Sequence, residues 1–187
     1  MRGKVVSSAT GIPGVSVRLS SLSGNGLPIM ISPSTQTDME GRFILDVPRD
    51  TRDADLTVLA PGFVLNRSRV TIDTNSELTV LLSQEGGTLI VSLRDRIDFS
   101  ELDQPRISVV HNSSARFDLG ALTNWARMNG VVNDYSRIII PNMPYGSYSV
   151  CWSHRNRDSG PASSSLRCVD GFLPPSGELE IEVPSRS

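Results

Sequence analysis

The stretch that decides the fold is Thr37-Asp38-Met39-Glu40-Gly41-Arg42-Phe43. It predicts a strand end, a tight acidic turn with Gly41 at the position that needs a positive φ, and a return strand over residues 42–47 that completes a hairpin. Aspartate suits such a turn because its side chain accepts hydrogen bonds from the nearby backbone. We therefore predict that Asp38 and Gly41 are turn-forming residues, and a calcium site at Asp38 and Glu40 is the alternative.

Around this turn, apolar and polar residues alternate along nearly every segment. The runs 15–19, 43–47 and 78–82 each place an apolar side chain at every second position. A period of two is typical of half-buried antiparallel strands, and the frequent glycine, proline and asparagine turn signals favour a sandwich or barrel. The predicted fold class is all-β, with two consecutive antiparallel β-sandwich domains and one short helix in the second.

The domain boundary is predicted at Gln84-Glu85-Gly86-Gly87. This segment places two glycines between two strand patterns and contains no apolar residue. We expect a first β-sandwich over residues 1–85 and a second over residues 88–187. Since the chain begins on one predicted strand and ends just after another, we also expect it to be a domain pair from a longer protein whose targeting signal lies outside it.

One helical pattern occurs, over residues 118–128. Leu119, Leu122 and Ala126 fall on one face of this helix, and Asp118 can cap its start. Trp125 lies beside that apolar stripe, either as a partly buried flank or as an exposed aromatic. An exposed tryptophan is a frequent anchor at binding surfaces, so Trp125 is a candidate binding residue.

Residues 2–82 resemble the carboxypeptidase regulatory-like domain, which is a transthyretin-like (prealbumin-like) seven-stranded sandwich. The resemblance rests on four elements that occur in order: Gly3-x-Val5, Gly14-Val15-Ser16-Val17-Arg18-Leu19, Thr37-Asp38-x-x-Gly41-Arg42-Phe43 and Ala60-Pro61-Gly62-Phe63. It implies an accessory module without an activity of its own.

The second half carries one element that looks like the same superfamily, the strand Pro144-Tyr145-Gly146-Ser147-Tyr148 within residues 141–150. It lacks a second threonine-aspartate-glycine turn, and the predicted helix is an insertion relative to the simple pattern. The second domain is therefore either a transthyretin-like repeat of the first or an Ig-like sandwich.

Cys151 and Cys168 are the two cysteines of the chain. If the segments on either side of Ser159-Gly160 form a symmetric hairpin, residues whose numbers sum to 319 face each other, and these two cysteines satisfy that sum. Directly opposed residues lie about 4.5–5.5 Å apart at Cα, which is within the range of a disulfide. A disulfide would indicate an oxidising compartment; two buried free thiols are the alternative.

The remaining candidates for chemistry are two histidines and one lysine. His111 and His154 are far apart in sequence, so we expect surface or loop histidines and no metal site. Lys4 on the first strand could form an internal amide with Asn66 or Asn75. The ordinary explanation for Lys4 is an edge lysine that discourages strand pairing.

The sequence favours a function without catalysis. A net charge of −2 and 5% aromatic residues argue against a nucleic-acid partner. No apolar run is long enough for membrane insertion, and no nucleophile, base and acid form a recognisable set, so we predict no catalytic residue, metal or cofactor.

We predict a non-catalytic accessory module pair of a larger extracellular, periplasmic or cell-surface protein. It would serve in spacing, stabilisation or docking to a protein partner or to attached domains of the parent chain. A carbohydrate-binding or adhesion module is the alternative.

Overall fold

In the computed structural model of the protein, the described residues are 1–20, 33–48, 51–73, 76–93, 106–112, 116–134, 136–153 and 166–183. They form fifteen β-strands and one α-helix. Contacts divide the chain into the units Met1–Gln84 and Glu85–Ser187. The predicted fold class is confirmed, because both units consist mainly of antiparallel sheets and the short helix lies in the second.

The first unit has two sheets. In one sheet, β5 and the short β2 pair antiparallel with β1, and β8 pairs parallel with the opposite side of β1. The other sheet has the order β4-β3-β6-β7, with every pair antiparallel. The strands are β1 (Arg2–Ser7), β2 (Thr10–Gly11), β3 (Ser16–Ser20), β4 (Ser34–Gln36), β5 (Arg42–Ile44), β6 (Asp53–Leu59), β7 (Asn66–Thr71) and β8 (Glu77–Leu81).

The core of the first unit follows from the predicted alternation. Along β6, Ala54, Leu56 and Val58 are buried and the residues between them are partly exposed. They join a buried cluster that includes Val5 and Phe43 from the other sheet. Burying a side chain the size of valine, leucine or phenylalanine contributes about 1.5–3 kcal/mol, so the period of two in the sequence favours packing of the two sheets against each other.

The second unit has seven strands and the helix within the described residues. One sheet has the order β12-β9-β15, in which β15 runs parallel to β9, and the other has the order β11-β10-β13-β14. The elements are β9 (Gly87–Leu93), β10 (Arg106–His111), β11 (Arg116–Asp118), α1 (Leu119–Met128), β12 (Arg137–Met143), β13 (Gly146–Ser153), β14 (Leu166–Leu173) and β15 (Glu178–Val183).

The two units share one strand order. The sheet β5-β1-β8 corresponds to β12-β9-β15, with a parallel pairing of first and last strand in each. The sheet β4-β3-β6-β7 corresponds in the same way to β11-β10-β13-β14. The small β2 has no counterpart among the described residues of the second unit.

The two units differ in the segment that connects their two sheets. In the first unit, this segment is not the predicted hairpin. β4 and β5 lie in different sheets, because β5 finds its partner in β1, where Phe43 pairs with Gly3. The turn at residues 38–41 therefore carries the chain from one sheet to the other. The return strand is also shorter than predicted, since it ends at Ile44.

Helix α1 occupies the corresponding connection in the second unit, between β11 and β12. The predicted helix is confirmed, with Asp118 at its N-cap. The Asp118 Oδ1 accepts hydrogen bonds from the backbone N–H groups of Gly120 at 2.8 Å and Ala121 at 3.3 Å. These bonds satisfy two of the donors that a helix start leaves without intrahelical partners.

Candidate docking surface

The turn at residues 38–41 is held by Asp38. Its Oδ1 accepts hydrogen bonds from the backbone N–H groups of Glu40 at 3.0 Å and Arg42 at 2.8 Å. Gly41 has φ +78°, the left-handed region that favours glycine. Asp38 and Glu40 also form ion pairs with Arg42, at 3.8 Å and 3.5 Å. The Asp38 carboxylate thus has backbone and cationic partners within the turn, and the Glu40 carboxylate is paired with Arg42.

An open cavity of about 780 Å³ lies beside this turn. Its wall includes Arg2 and Arg42 as cations and Asp38 and Glu77 as anions. Because the charges are mixed and Arg42 is engaged with two carboxylates of the turn, the cavity has no concentrated field for an ionic ligand. Its arrangement does not point to a reaction.

The internal amide of Lys4 is not supported by the strand positions. β1 is a central strand between β5 and β8, and Lys4 pairs with Arg42 on one side and Thr79 on the other. It is therefore not an edge lysine, which corrects the ordinary explanation. Asn66 lies on β7 of the other sheet; Asn75 lies outside the described residues.

Trp125 is buried, with 2% of its surface exposed. Its Nε1 donates a hydrogen bond to the carbonyl oxygen of Pro141 at 3.0 Å, next to an irregularity in β12 between Ile140 and Met143. The interpretation of Trp125 as an exposed binding residue is therefore wrong, because the side chain packs between α1 and β12. Trp152 is buried in the core, as predicted.

His111 is also buried, which corrects the expectation of a surface histidine. Its Nε2 lies 3.0 Å from the Tyr145 carbonyl oxygen, and its ring contacts the Tyr148 ring with centroids 4.8 Å apart. A Cβ on Gly146 would lie 2.7 Å from the His111 Nε2, so only glycine fits there. His154 lies outside the described residues.

Tyr148 completes this cluster. Its hydroxyl donates a hydrogen bond to the Pro144 carbonyl oxygen at 2.5 Å, four residues earlier in the chain. Burial raises the pKa of Tyr148 above its ordinary value, so the hydroxyl stays protonated as a donor. The Pro-x-Gly-x-Tyr pattern is thus a structural corner that fixes the start of β13, as tyrosine corners do in other sandwiches.

β13 and β14 form the ladder that contains both cysteines. Every pair in this ladder has residue numbers that sum to 319, from Gly146 opposite Leu173 to Ser153 opposite Leu166, which is the register predicted from the sequence. Cys151 and Cys168 face each other with Cα atoms 4.0 Å apart, and their sulfurs are bonded. Cys151 and Val150 point to different faces of the sheet. The Cys151 side chain is buried, and Cys168 is exposed.

β14 is the end strand of its sheet, since among the described residues it pairs only with β13. Leu166 and Phe172 are exposed by 62% and 60%, and Val169 by 37%. Tyr145, just before β13, is exposed by 61%. We name the exposed side of the strand Leu166–Leu173 the β14 edge. It combines apolar side chains with backbone groups that have no strand beside them within the described chain.

Sequence reasoning recognised a strand here but did not identify the β14 edge. The signal available was the loss of alternation: Leu166, Val169 and Phe172 have mixed parity, so a strand with one buried face leaves some of them in solvent. The aromatic candidate moves accordingly from Trp125 to Phe172 and Tyr145.

Comparisons with known proteins give low similarity throughout. No protein-family model matches the chain, and no curated protein sequence matches it significantly. Among solved structures, the minor pilin GBS52 of Streptococcus agalactiae aligns with 100% of this chain and 98% of its own, at 12% identity and TM-score 0.34. The shaft pilin SpaA of Lactobacillus rhamnosus GG aligns over 100% of both chains, at 7% identity and TM-score 0.33.

A third similar structure is the Bacillus anthracis TIE protein, with 15% identity and TM-score 0.31. The alignment covers 97% of this chain but only 32% of that protein, so this chain spans about a third of its length. At TM-scores this low, the three likenesses carry no argument about function. In the described part of the chain, no helix has the length and apolar character needed to cross a membrane.

Proposed function

We propose that this chain is a non-catalytic pair of β-sandwich modules within a larger extracellular or cell-envelope protein, and that it serves in protein–protein docking. The observation that carries the proposal is the β14 edge. It offers eight residues of strand, two large exposed apolar side chains, and a covalent tie to β13 through Cys151–Cys168. Sheet edges of this kind accept an added strand through backbone hydrogen bonds and apolar contacts.

The disulfide supports the compartment in this proposal. Cysteine pairs persist as structural disulfides in secreted, periplasmic and surface proteins, whereas the cytosol keeps thiols reduced. Cys168 is exposed on an end strand, so a reducing compartment would have access to the bond. An oxidising location is therefore part of the function we propose.

We further assign residues 1–85 to the carboxypeptidase regulatory-like type and residues 88–187 to a transthyretin-like copy of it. The motif at residues 37–43 supports the first assignment. The strand order that the two units share supports the second. Such modules serve the protein to which they are attached, so the parent chain sets the biological context.

The test is the location and thiol state of the parent protein in its own cells. An antibody raised against the chain should detect it in the secreted or envelope fraction. Both cysteines should resist alkylation until reductant is added, and reduction should add about 2 Da. A Cys151→Ala, Cys168→Ala chain is the matched control for labelling. Detection inside the cell, with two cysteines that alkylate without reductant, would contradict the proposal.

A carbohydrate-binding function is the second candidate, and one observation favours it. Tyr145 and Phe172 are both exposed at the same end of the β13–β14 ladder, since Phe172 pairs with Ser147. Exposed aromatic side chains in proximity mark binding surfaces. A glycan array should then show binding that Tyr145→Ala and Phe172→Ala each weaken, with Met39→Ala as an exposed control elsewhere. An array without bound glycan would set this candidate aside.

A further inference from the structure

Several of the other described sheet edges carry features that discourage pairing with a further strand. β4, β5 and β11 have three residues each, and β12 contains an irregularity between Ile140 and Met143. β7 carries Arg67 and Arg69, and β15 exposes three glutamates, at 178, 180 and 182. Short length, charge and bulges are the usual means by which proteins prevent edge-to-edge pairing.

β14 is long and apolar by comparison, with eight residues and with Leu166 and Phe172 exposed. Its backbone is also aligned for pairing. The 4.0 Å separation of the Cys151 and Cys168 Cα atoms is that of a narrow pair, in which the two residues do not bond to each other. The N–H and C=O groups of Cys168, and by alternation those of Leu166, Asp170 and Phe172, therefore point away from β13.

We propose that the occupant of the β14 edge is the β14 edge of a second copy of this chain, paired antiparallel about a twofold axis at Val169. This inference rests on the docking function proposed above and names its partner. Two four-stranded sheets would then continue across the contact as one sheet. A twofold contact uses the same surface on both subunits, so the strand has to be complementary to itself.

The side chains of β14 meet that condition. With Val169 on the axis, Leu166 faces the partner's Phe172 twice, and Val169 faces its own counterpart. Arg167 faces a glycine, Gly171, over which its long side chain can lie. Apolar pairs directly opposite each other stabilise a sheet, and this register places no like charges together.

Other antiparallel registers are less favourable. A twofold axis perpendicular to the sheet keeps each side chain on the same face in both copies. One residue therefore has to lie opposite its own counterpart at the axis. An axis at Cys168 places Leu166 against Asp170, and an axis at Gly171 places Asp170 against Phe172. An axis at Arg167 or at Asp170 places that charge against itself. Of these registers, the one centred on Val169 places both Leu166 and Phe172 opposite apolar residues and avoids like charges.

The test uses the oxidised 187-residue chain in sedimentation velocity over a concentration series. We expect the mass to rise from one to two chains, with a dissociation constant on the order of micromolar, because a single strand pair buries less surface than a standard stable interface. Leu166→Lys and Phe172→Glu should each weaken the dimer by about tenfold. Both positions are exposed, so the substitutions should leave the fold intact.

The Leu166→Lys, Phe172→Glu double variant tests the register. In the Val169-centred pairing the two introduced charges are opposite in sign and face each other, so the double variant should recover most of the lost affinity. Ile44→Lys is the matched control, since it places the same charge at a residue of the first unit that is 70% exposed. It should not change the dimer.

Three results would overturn the proposal. A chain that stays monomeric at every concentration would exclude the second copy and leave the β14 edge to a strand of another protein. A dimer that tolerates both single substitutions would place the interface elsewhere. A double variant weaker than either single variant would exclude the register. The proposed function is tested separately, by the location and thiol state of the parent protein, and these three results do not affect that test.

Discussion

Gly11 and Gly41 pack backbone against backbone. A Cβ on Gly41 would lie 2.8 Å from the Gly11 Cα and 2.7 Å from the Ile12 nitrogen, and a Cβ on Gly11 would collide with the Glu40 carbonyl group. The Gly41 carbonyl oxygen accepts a hydrogen bond from the Val5 N–H at 2.8 Å. The turn at residues 38–41 is thus pressed onto β1 and the β1–β2 hairpin.

Gly41→Ala should therefore destabilise the first unit for two reasons. The positive φ costs about 1–2 kcal/mol for a residue with a Cβ, and the collision with backbone atoms adds about 1–3 kcal/mol. We expect a loss of about 3 kcal/mol in the free energy of unfolding, measured by urea denaturation. Gly14→Ala is the control, since Gly14 has φ +68° with open space around it, and should lose only the first part. Equal losses at the two positions would contradict the close packing.

Thr37 holds the other side of the same turn. Its Oγ1 accepts a hydrogen bond from the Val15 N–H at 2.9 Å and donates one to the Ile12 carbonyl oxygen at 2.7 Å, and the residue is 6% exposed. Thr37→Val keeps the shape but leaves both backbone groups without this partner. We expect a loss of about 2–4 kcal/mol in urea denaturation. Thr37→Ser keeps the hydroxyl, so a serine variant as unstable as the valine variant would contradict this role.

Local chemistry could be predicted from the sequence at this turn, whereas its place in the fold could not. Asp38 bonds to backbone groups within four residues and Gly41 supplies the positive φ, so their residue types suffice to predict the turn. Whether β5 pairs with β4 or with β1 depends on the contact between Phe43 and Gly3, forty positions apart in sequence. Strands alternate with a period of two whether the turn joins them in one sheet or carries the chain to the other sheet. The pattern therefore does not distinguish the two cases.

At the candidate site, too, local features could be predicted from the sequence and features that depend on distant elements could not. The opposition of Cys151 and Cys168 could be predicted, because a symmetric hairpin fixes its register by arithmetic. Which of the apolar residues of β14 are exposed could not, because that depends on which face of the strand the rest of the unit covers. The burial of Trp125 could not be predicted from the helix pattern either. Its N–H donates to the carbonyl group of Pro141, which lies outside the helix.

The Cys151–Cys168 bond should stabilise the second unit. It closes a loop with a sequence separation of 17, for which the chain-entropy model gives about 3 kcal/mol. Reduction of the wild-type chain should lower the free energy of unfolding by about that amount and should increase hydrogen exchange of the β14 amides. In the Cys151→Ala, Cys168→Ala chain, reductant should have no effect. Unchanged stability of the wild-type chain on reduction would contradict the prediction.

Tyr148 should make the second unit sensitive to high pH. Burial raises its pKa in the folded state above the ordinary tyrosine value of about 10, so the unfolded chain loses this proton more readily than the folded chain does. The stabilisation is complete below pH 10 and decreases as the pH rises above it, because ionisation then favours the unfolded state.

Tyr148→Phe removes the ionisable group together with the hydrogen bond to Pro144, and should cost about 1–1.5 kcal/mol at neutral pH. The same variant should flatten the decline of stability above pH 10, which denaturation at a series of pH values would measure. Tyr145→Phe is the matched control, because Tyr145 is 61% exposed, and its profile should follow the wild type. A Tyr148→Phe profile parallel to the wild type would show that another group causes the alkaline unfolding.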